Sequence, residues 1–258
     1  DVLGVAQTGT GKTAAYVLPI LHNITIDKSK YEKKSCKYIV IVPTRELAMQ
    51  VYENIRIFSK YLSIRTSLIV GGVKPKPQLR SILKGVDIIV GTPGRILDHL
   101  NAGGLILNFT KTIILDEADQ LMDLGFIPDI KKMYTHLPKK RQTVFITATM
   151  LKPVKETALK FLRNYREINL SPKATPIEKI KQKVIAVEQS SKLNKLKSTI
   201  EKEKIYQAII FTRTKKRADN LAKALNKNKF SAMSFHGDKR QTQRGYLVET
   251  SCCRLAPK

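Results

Sequence analysis

The sequence predicts an α/β fold: a parallel sheet with helices on both faces. Three observations predict it. Short apolar runs alternate with helical stretches through the first 170 of the 258 residues. A Gly-rich turn sits between the first apolar run and the first helical stretch. An acidic cluster closes a later apolar run, and carboxylates at the C-terminal end of a strand lie on the ligand-binding edge of such sheets.

In chain order, the expected strands are Val2–Ala6, Tyr38–Val42, Thr66–Val70, Asp87–Val90, Thr112–Leu115 and Thr143–Thr147. Each is a short run of β-branched and apolar residues. Expected helices lie between them: one opening at Lys12 and running through Leu18, then Glu46–Tyr61, Ile96–Asn101 and Ile127–His136. The turn formers of Ser171-Pro172-Lys173-Ala174-Thr175-Pro176 mark a linker over 171–180. Domains are therefore expected over 1–170 and 181–258. The second resumes the alternation with strands at Lys183–Val187, Ala208–Phe211 and Phe230–Phe235, and helices at Lys192–Glu201 and Lys215–Asn226. It is short for a complete α/β domain.

The first functional candidate is Ala6-Gln7-Thr8-Gly9-Thr10-Gly11-Lys12-Thr13. Gly9 and Gly11 permit the tight turn that aims successive N–H groups at an anion, and the helix that follows adds its positive end. Lys12 has the reach for β- and γ-phosphates, and Thr13 offers a hydroxyl to Mg2+. Ala6 stands where the common pattern has its first glycine, but the cradle itself is made by 8–13. The second candidate is Asp116-Glu117-Ala118-Asp119 after Lys111–Leu115. Alone it reads equally as a solvated loop favouring a helix start. Beside a phosphate cradle, Asp116 suits the metal, directly or through water, and Glu117 suits the attacking water.

Three further loops should reach the same edge: Pro43-Thr44-Arg45-Glu46-Leu47-Ala48, Gly71-Gly72 and Thr92-Pro93-Gly94-Arg95. Thr44 and Thr92 suit helix N-caps and Pro93 the first helical position. Each alone is ordinary capping and turn chemistry. Together they offer helix-start N–H groups, Arg45, Arg95 and close backbone approach at Gly72, which suits a phosphodiester backbone read without sequence preference.

Composition agrees with a polyanionic partner. The net charge is +26 and the hydrophobic content is 42%. Residues 171–258 hold 21 of the 47 basic side chains and only 7 of the 21 acidic ones, so the C-terminal part is the more densely basic. Cys36, Cys252 and Cys253 form neither metal-ligand spacing nor a disulfide framework, which fits a reducing, cytoplasmic setting. The four histidines are scattered. No apolar stretch approaches the ~20 residues that span a bilayer, and no signal peptide opens the chain.

In order along the chain, these segments resemble the DEAD-box RNA helicases, and the bacterial members in particular around Leu124-Gly125-Phe126 and Leu137–Thr143. The likeness includes Thr147-Ala148-Thr149 and continues with Ile209-Ile210-Phe211-Thr212-Arg213 and His236-Gly237-Asp238, followed by Gln241 and Arg244. It implies two RecA-like domains that close around ATP, Mg2+ and single-stranded RNA to unwind or remodel short duplexes. Lys12, Asp116 and Glu117 would be catalytic, with Ala6 to Thr13 holding ATP and Thr13 and Asp116 holding the metal. Asp119, Thr147 and Thr149 would couple nucleotide state to RNA. Pro43, Thr44, Arg45, Gly72, Thr92, Pro93, Gly94 and Arg95 would contact the RNA backbone, and Thr212, Arg213, His236 and Gly237 would have RNA or interdomain roles. The family has Ser in place of Thr147, so the hydroxyl is kept.

Two family elements have no counterpart in the sequence: an upstream glutamine motif that reads adenine, and the later second-domain motifs, which include the arginines that complete the ATP site. From Gly245 to Lys258 no family motif is found. The expectation is a chain cut at both ends, with an incomplete second domain and weak hydrolysis, since an arginine finger contributes roughly 10³–10⁵ in rate. The alternative is a non-catalytic, nucleotide-gated RNA-binding fragment.

Overall fold

The computed structural model describes residues 1–7, 9–27, 29, 32–170 and 181–239. The chain divides into two units, Asp1–Ala174 and Thr175–Lys258. Thr8, the 171–180 segment, Gln241, Arg244, Cys252, Cys253 and the C-terminal tail lie outside the described residues.

The first unit is a seven-stranded sheet. Its strands are β1 (Val2–Val5), β2 (Cys36–Ile41), β3 (Thr66–Ile69), β4 (Val86–Gly91), β5 (Thr112–Leu115), β6 (Gln142–Thr147) and β7 (Arg166–Asn169). Their order is β3-β4-β2-β5-β6-β1-β7, with every neighbouring pair parallel. The helices are α1 (Lys12–Ile26), α2 (Arg45–Phe58), α3 (Pro75–Ile82), α4 (Pro93–Asn101), α5 (Ala118–Asp123), α6 (Ile127–Tyr134) and α7 (Lys152–Ala158). Two apolar clusters cover the sheet. One gathers Leu3, Ile39, Ile41, Ile113 and Phe145 against α4, α6 and α7. The other packs Tyr38, Val40, Ile88, Val90 and Ile114 against α1 and α2. The alternation in β2 sends Ile39 and Ile41 to one cluster, Tyr38 and Val40 to the other. That is why a strand buried on both faces reads as a continuous apolar run.

All six expected strands form. The seventh, β7, was not expected. Its sequence Arg-Glu-Ile-Asn is exposed throughout, and it joins through its backbone alone, Val2 opposite Arg166 and Val5 opposite Asn169. An edge strand buries no alternating face, so no hydrophobic period announces it. Helix α1 also exceeds the expectation, continuing through Pro19 to Ile26. The proline removes one helical donor, but Tyr16, Val17, Ile20, Leu21 and Ile24 carry the buried stripe across it. Helices α3, α5 and α7 are short and were not anticipated.

The second unit corrects the expectation of strands. Helices α8 (Lys192–Lys202) and α9 (Lys215–Lys227) form where predicted, preceded by a 3-10 turn at Gln189–Ser191. The segments 183–187, 208–211 and 230–235 form no strand. Val184 is 100% exposed, Ile209 81% and Phe211 91%. An apolar, β-branched run becomes a strand only when a neighbour pairs its backbone and a layer covers its side chains. Among the described residues no strand pairs with these segments.

Candidate nucleotide and nucleic-acid site

Strand order brings the phosphate cradle to the acidic cluster. The cradle follows β1 and the cluster follows β5, and β6 lies between them. The two segments thus start about 10 Å apart, two strand spacings, with Thr147 at the end of the strand between. Ala6 is buried, and its N–H donates to the Thr147 carbonyl at 3.1 Å. The missing first glycine is no defect here, because the methyl group of Ala6 is accommodated beneath the loop. The Thr10 hydroxyl donates to the Gln7 carbonyl at 2.8 Å, closing the turn. Gly9 and Gly11 have φ of 85° and 87°, and a Cβ at either would meet open space. Backbone conformation, not crowding, requires glycine at both positions. Gly11 then leads directly into α1, whose first residue is Lys12.

The Lys12 Nζ is buried and, among the described residues, has no hydrogen-bond partner. Its charge acts on both Asp116 and Glu117. A buried ammonium without an acceptor is costly unless an anion meets it. The Asp116 carboxylate is buried. Its Oδ2 accepts from the Tyr16 hydroxyl at 2.8 Å, and its Oδ1 accepts from the Glu117 N–H at 2.9 Å. Burial raises its pKa, although Tyr16, the Glu117 N–H and Lys12 oppose the shift. Glu117 is also raised, by burial first and then by the Asp116 charge. Burial and then the Asp116 charge push the Tyr16 phenol well above its ordinary value, so at neutral pH it remains a donor. Tyr16 escaped the sequence reading, which treated it as one more helix residue. The signal was its spacing: four residues after Lys12 places it on the same helix face.

Asp119 reaches across to the end of β6. Its Oδ2 accepts from the Thr149 N–H at 3.0 Å and from the Thr149 hydroxyl at 2.9 Å. The Thr147 hydroxyl is buried and donates to the Thr149 carbonyl at 2.9 Å. Ala6 of the cradle, Thr147, Thr149 and Asp119 of the acidic cluster are therefore linked by successive hydrogen bonds.

Phosphates and Mg2+ fit these side chains. The orphaned Lys12 ammonium needs an anion, and the glycine-lined turn leaves space for one. Mg2+ is commonly held by one or two carboxylates plus phosphate oxygens and water. Three-ligand metal clusters are absent among the described residues, which that mode does not require.

The three basic loops also converge, around residues 71–73. The Arg45 guanidinium lies against Gly71 and Gly72. A Cβ at Gly71 would come 3.0 Å from Arg45 Nη2, and one at Gly72 would collide with the guanidinium. Gly72 also has φ 78°. The Arg95 Nη1 donates to the Val73 carbonyl at 2.8 Å, and its Nε lies 3.6 Å from Asp98. Thr44 caps α2, accepting from the Leu47 N–H at 3.2 Å. Thr92 occupies the N-cap position of α4 but makes no side-chain capping bond, contrary to the expectation. Pro93 at the helix start has no N–H, as expected there. A Cβ at Gly94 would meet open space.

In the second unit the Thr212 hydroxyl donates to the Thr214 carbonyl at 3.1 Å, and Arg213 is exposed. His236 lies within 3.2 Å of Asp219, its side chain 11% exposed. Ser234 and Lys239 donate to the same carboxylate at 2.6 and 3.0 Å, and with His236 they hold Asp219 well below the usual carboxylate range. Gly237 lies beside Lys215, which bonds Asp238 at 2.6 Å.

The family model described as DEAD/DEAH box helicase matches residues 1–157, and the helicase conserved C-terminal domain matches residues 191–251. The chain is 41% identical over 244 residues to a DEAD-box ATP-dependent RNA helicase CshA of Bacillus cereus, covering 95% of this chain and 46% of the relative. It is 40% identical over 250 residues to an ATP-dependent RNA helicase DeaD of Buchnera aphidicola, covering 96% and 41%. The chain thus spans about half the length of the curated relatives it matches. Among solved structures, an S. cerevisiae Dbp5 variant bound to RNA and ADP BeF3 matches with TM-score 0.78 at 30% identity, over 97% of this chain and 62% of that one. A DEAD box protein from Methanococcus jannaschii matches with TM-score 0.59 at 32% identity, over 98% and 66%. A parallel sheet carrying this cradle and this acidic cluster, together with a family match over more than half its length, leaves one assignment: the chain belongs to the DEAD/DEAH box helicase family.

Proposed function

We propose that the chain is the ATP- and RNA-binding part of an ATP-dependent RNA helicase, acting on short RNA duplexes through their phosphate backbone. The observation that carries this reading is the buried Lys12 ammonium, without a hydrogen-bond partner among the described residues and acting electrostatically on Asp116 and Glu117. Residues 6–13 hold the triphosphate, with Lys12 on its terminal phosphates. Thr13 and Asp116 hold Mg2+, whose chemistry when bound is to neutralise charge on the phosphate oxygens. Glu117 orients the attacking water and takes its proton. Its raised pKa makes it a stronger base than an exposed glutamate. The Asp119–Thr149 contact ties the acidic cluster to the end of β6, a route by which nucleotide state reaches the RNA-binding loops. Arg45 and Arg95 with residues 71–73, and Thr212, Arg213, His236 and Gly237 of the second unit, serve RNA. The Dbp5 neighbour bound to RNA and ADP BeF3 supports the pairing of these two ligands.

Titration with a fluorescent ATP analogue tests the reading. Lys12→Ala should abolish binding; retained affinity sinks the cradle assignment. RNA-stimulated phosphate release then separates a working ATPase from a nucleotide-gated clamp. The clamp is the second reading, and the lack of strands over 183–187, 208–211 and 230–235 favours it. Nucleotide-dependent RNA binding without phosphate release supports the clamp.

A further inference from the structure

The nucleotide reading uses both carboxylates but gives no role to the phenol between Lys12 and Asp116. Tyr16 lies one turn after Lys12 on α1, and its hydroxyl donates to Asp116 Oδ2 at 2.8 Å with both groups buried. The Glu117 N–H donates to the other oxygen at 2.9 Å. Each carboxylate oxygen is thus held by one donor, one from α1 and one from the turn after β5. Two donors from separate elements fix the position and plane of the carboxylate. A carboxylate has about four lone-pair sites, so two remain for a cation or its water shell. Thr13 lies three residues before Tyr16 on α1, a spacing that puts the two on one helix face.

We propose that Tyr16 is a positioning residue for the divalent cation, presenting the Asp116 carboxylate through its hydroxyl. The proposal rests on the nucleotide-site reading given above. Groups that orient a ligating carboxylate commonly alter metal affinity by roughly 10–100-fold when removed. A buried tyrosine that merely satisfied its own hydroxyl would affect stability and leave the cation dependence unchanged.

The variant is Tyr16→Phe, which keeps the ring and removes one oxygen. Binding of a fluorescent ATP analogue is titrated with MgCl2 and, separately, measured in EDTA. The expected result is a rise of about tenfold in the half-saturating Mg2+ concentration, with affinity in EDTA unchanged. In an Asp116→Asn background, Tyr16→Phe should produce no further shift, because the interacting partner is already altered. An unchanged Mg2+ half-saturation in Tyr16→Phe, whatever the melting temperature, overturns the proposal. So does an equal shift in the Asp116→Asn background. If Lys12→Ala binds the analogue as well as the unaltered chain, the nucleotide-site reading fails and takes this proposal with it. If Lys12→Ala loses binding and Tyr16→Phe keeps its Mg2+ dependence, only the positioning role fails.

Discussion

Glu117 occupies the left-handed region, φ 48° and ψ 51°, a conformation that costs a non-glycine residue roughly 1–2 kcal/mol. The turn it makes is what aims its own N–H at Asp116 while starting α5 two residues after the strand. Asp119 then falls within the first helical turn, where it meets Thr149. The strain at one residue thereby sets three carboxylates. Glu117→Gln keeps the side chain's size and removes the proposed base. Nucleotide affinity should stay, and RNA-stimulated phosphate release should fall by about 10²–10⁴; undiminished turnover would show that another group activates the water. The pH dependence has a definite sign. In its proposed role Glu117 must be ionised, and its pKa is raised by burial and by Asp116. Activity should therefore fall on acidification at a pH above the ~4.3 of an ordinary glutamate, which a pH–rate profile measures directly.

The elements around the site differ in how they are held. The cradle depends on backbone freedom, since Gly11 has φ 87° with open space around any added Cβ. Gly11→Ala should destabilise the fold by about 1–2 kcal/mol through backbone strain alone, read as a shift in the urea midpoint. At the strands' N-terminal ends, the loop after α1 is held by charge. Asp27 lies 3.2 Å from Lys37 and 2.8 Å from Lys111, with its side chain 13% exposed. Burial pushes its pKa up, but the donors from Lys111, Ser29 and Lys37 outweigh it and hold the carboxylate well below its usual range. A depressed carboxylate contributes stability that is complete above its unfolded pKa of ~3.9 and is lost as the pH falls below that. Asp27→Asn should therefore lower the melting temperature at pH 7, and the difference from the unaltered chain should shrink below about pH 4. A difference independent of pH would mean that packing, not charge, is at work. Cys36, inside β2, has its thiol pushed up to about 12 by burial; it is a packing residue, unreactive at neutral pH.

For the whole chain, the excess of 47 basic over 21 acidic side chains would set the character of the proposed RNA binding. Affinity for single-stranded RNA should fall linearly in log–log form with salt, by roughly 0.7 decade per tenfold rise in salt for each phosphate neutralised. Homopolymers of different base should bind alike at equal salt. Arg45→Ala and Arg95→Ala should each reduce that slope by less than one unit, and a strong base preference would refute backbone reading.

Much of this was legible in the residues. A run such as Ile113-Ile114-Leu115-Asp116 names both a doubly buried strand and its functional end, because burial on two faces demands continuous apolarity and the ligand edge tolerates charge. Gly9 and Gly11 announce their turn because only glycine adopts that φ without strain. Strand order was not legible: nothing local places β6 between β1 and β5, and hence Thr147 between the cradle and the carboxylates. Nor was β7, which pairs through a backbone that every residue shares. The Tyr16–Asp116 bond joins positions a hundred residues apart and exists only because the sheet lays one helix over the end of another strand. The apolar runs at 183–187, 208–211 and 230–235 make the same point in reverse. Local pattern states what a segment can pair with, and long-range contact supplies or withholds the partner.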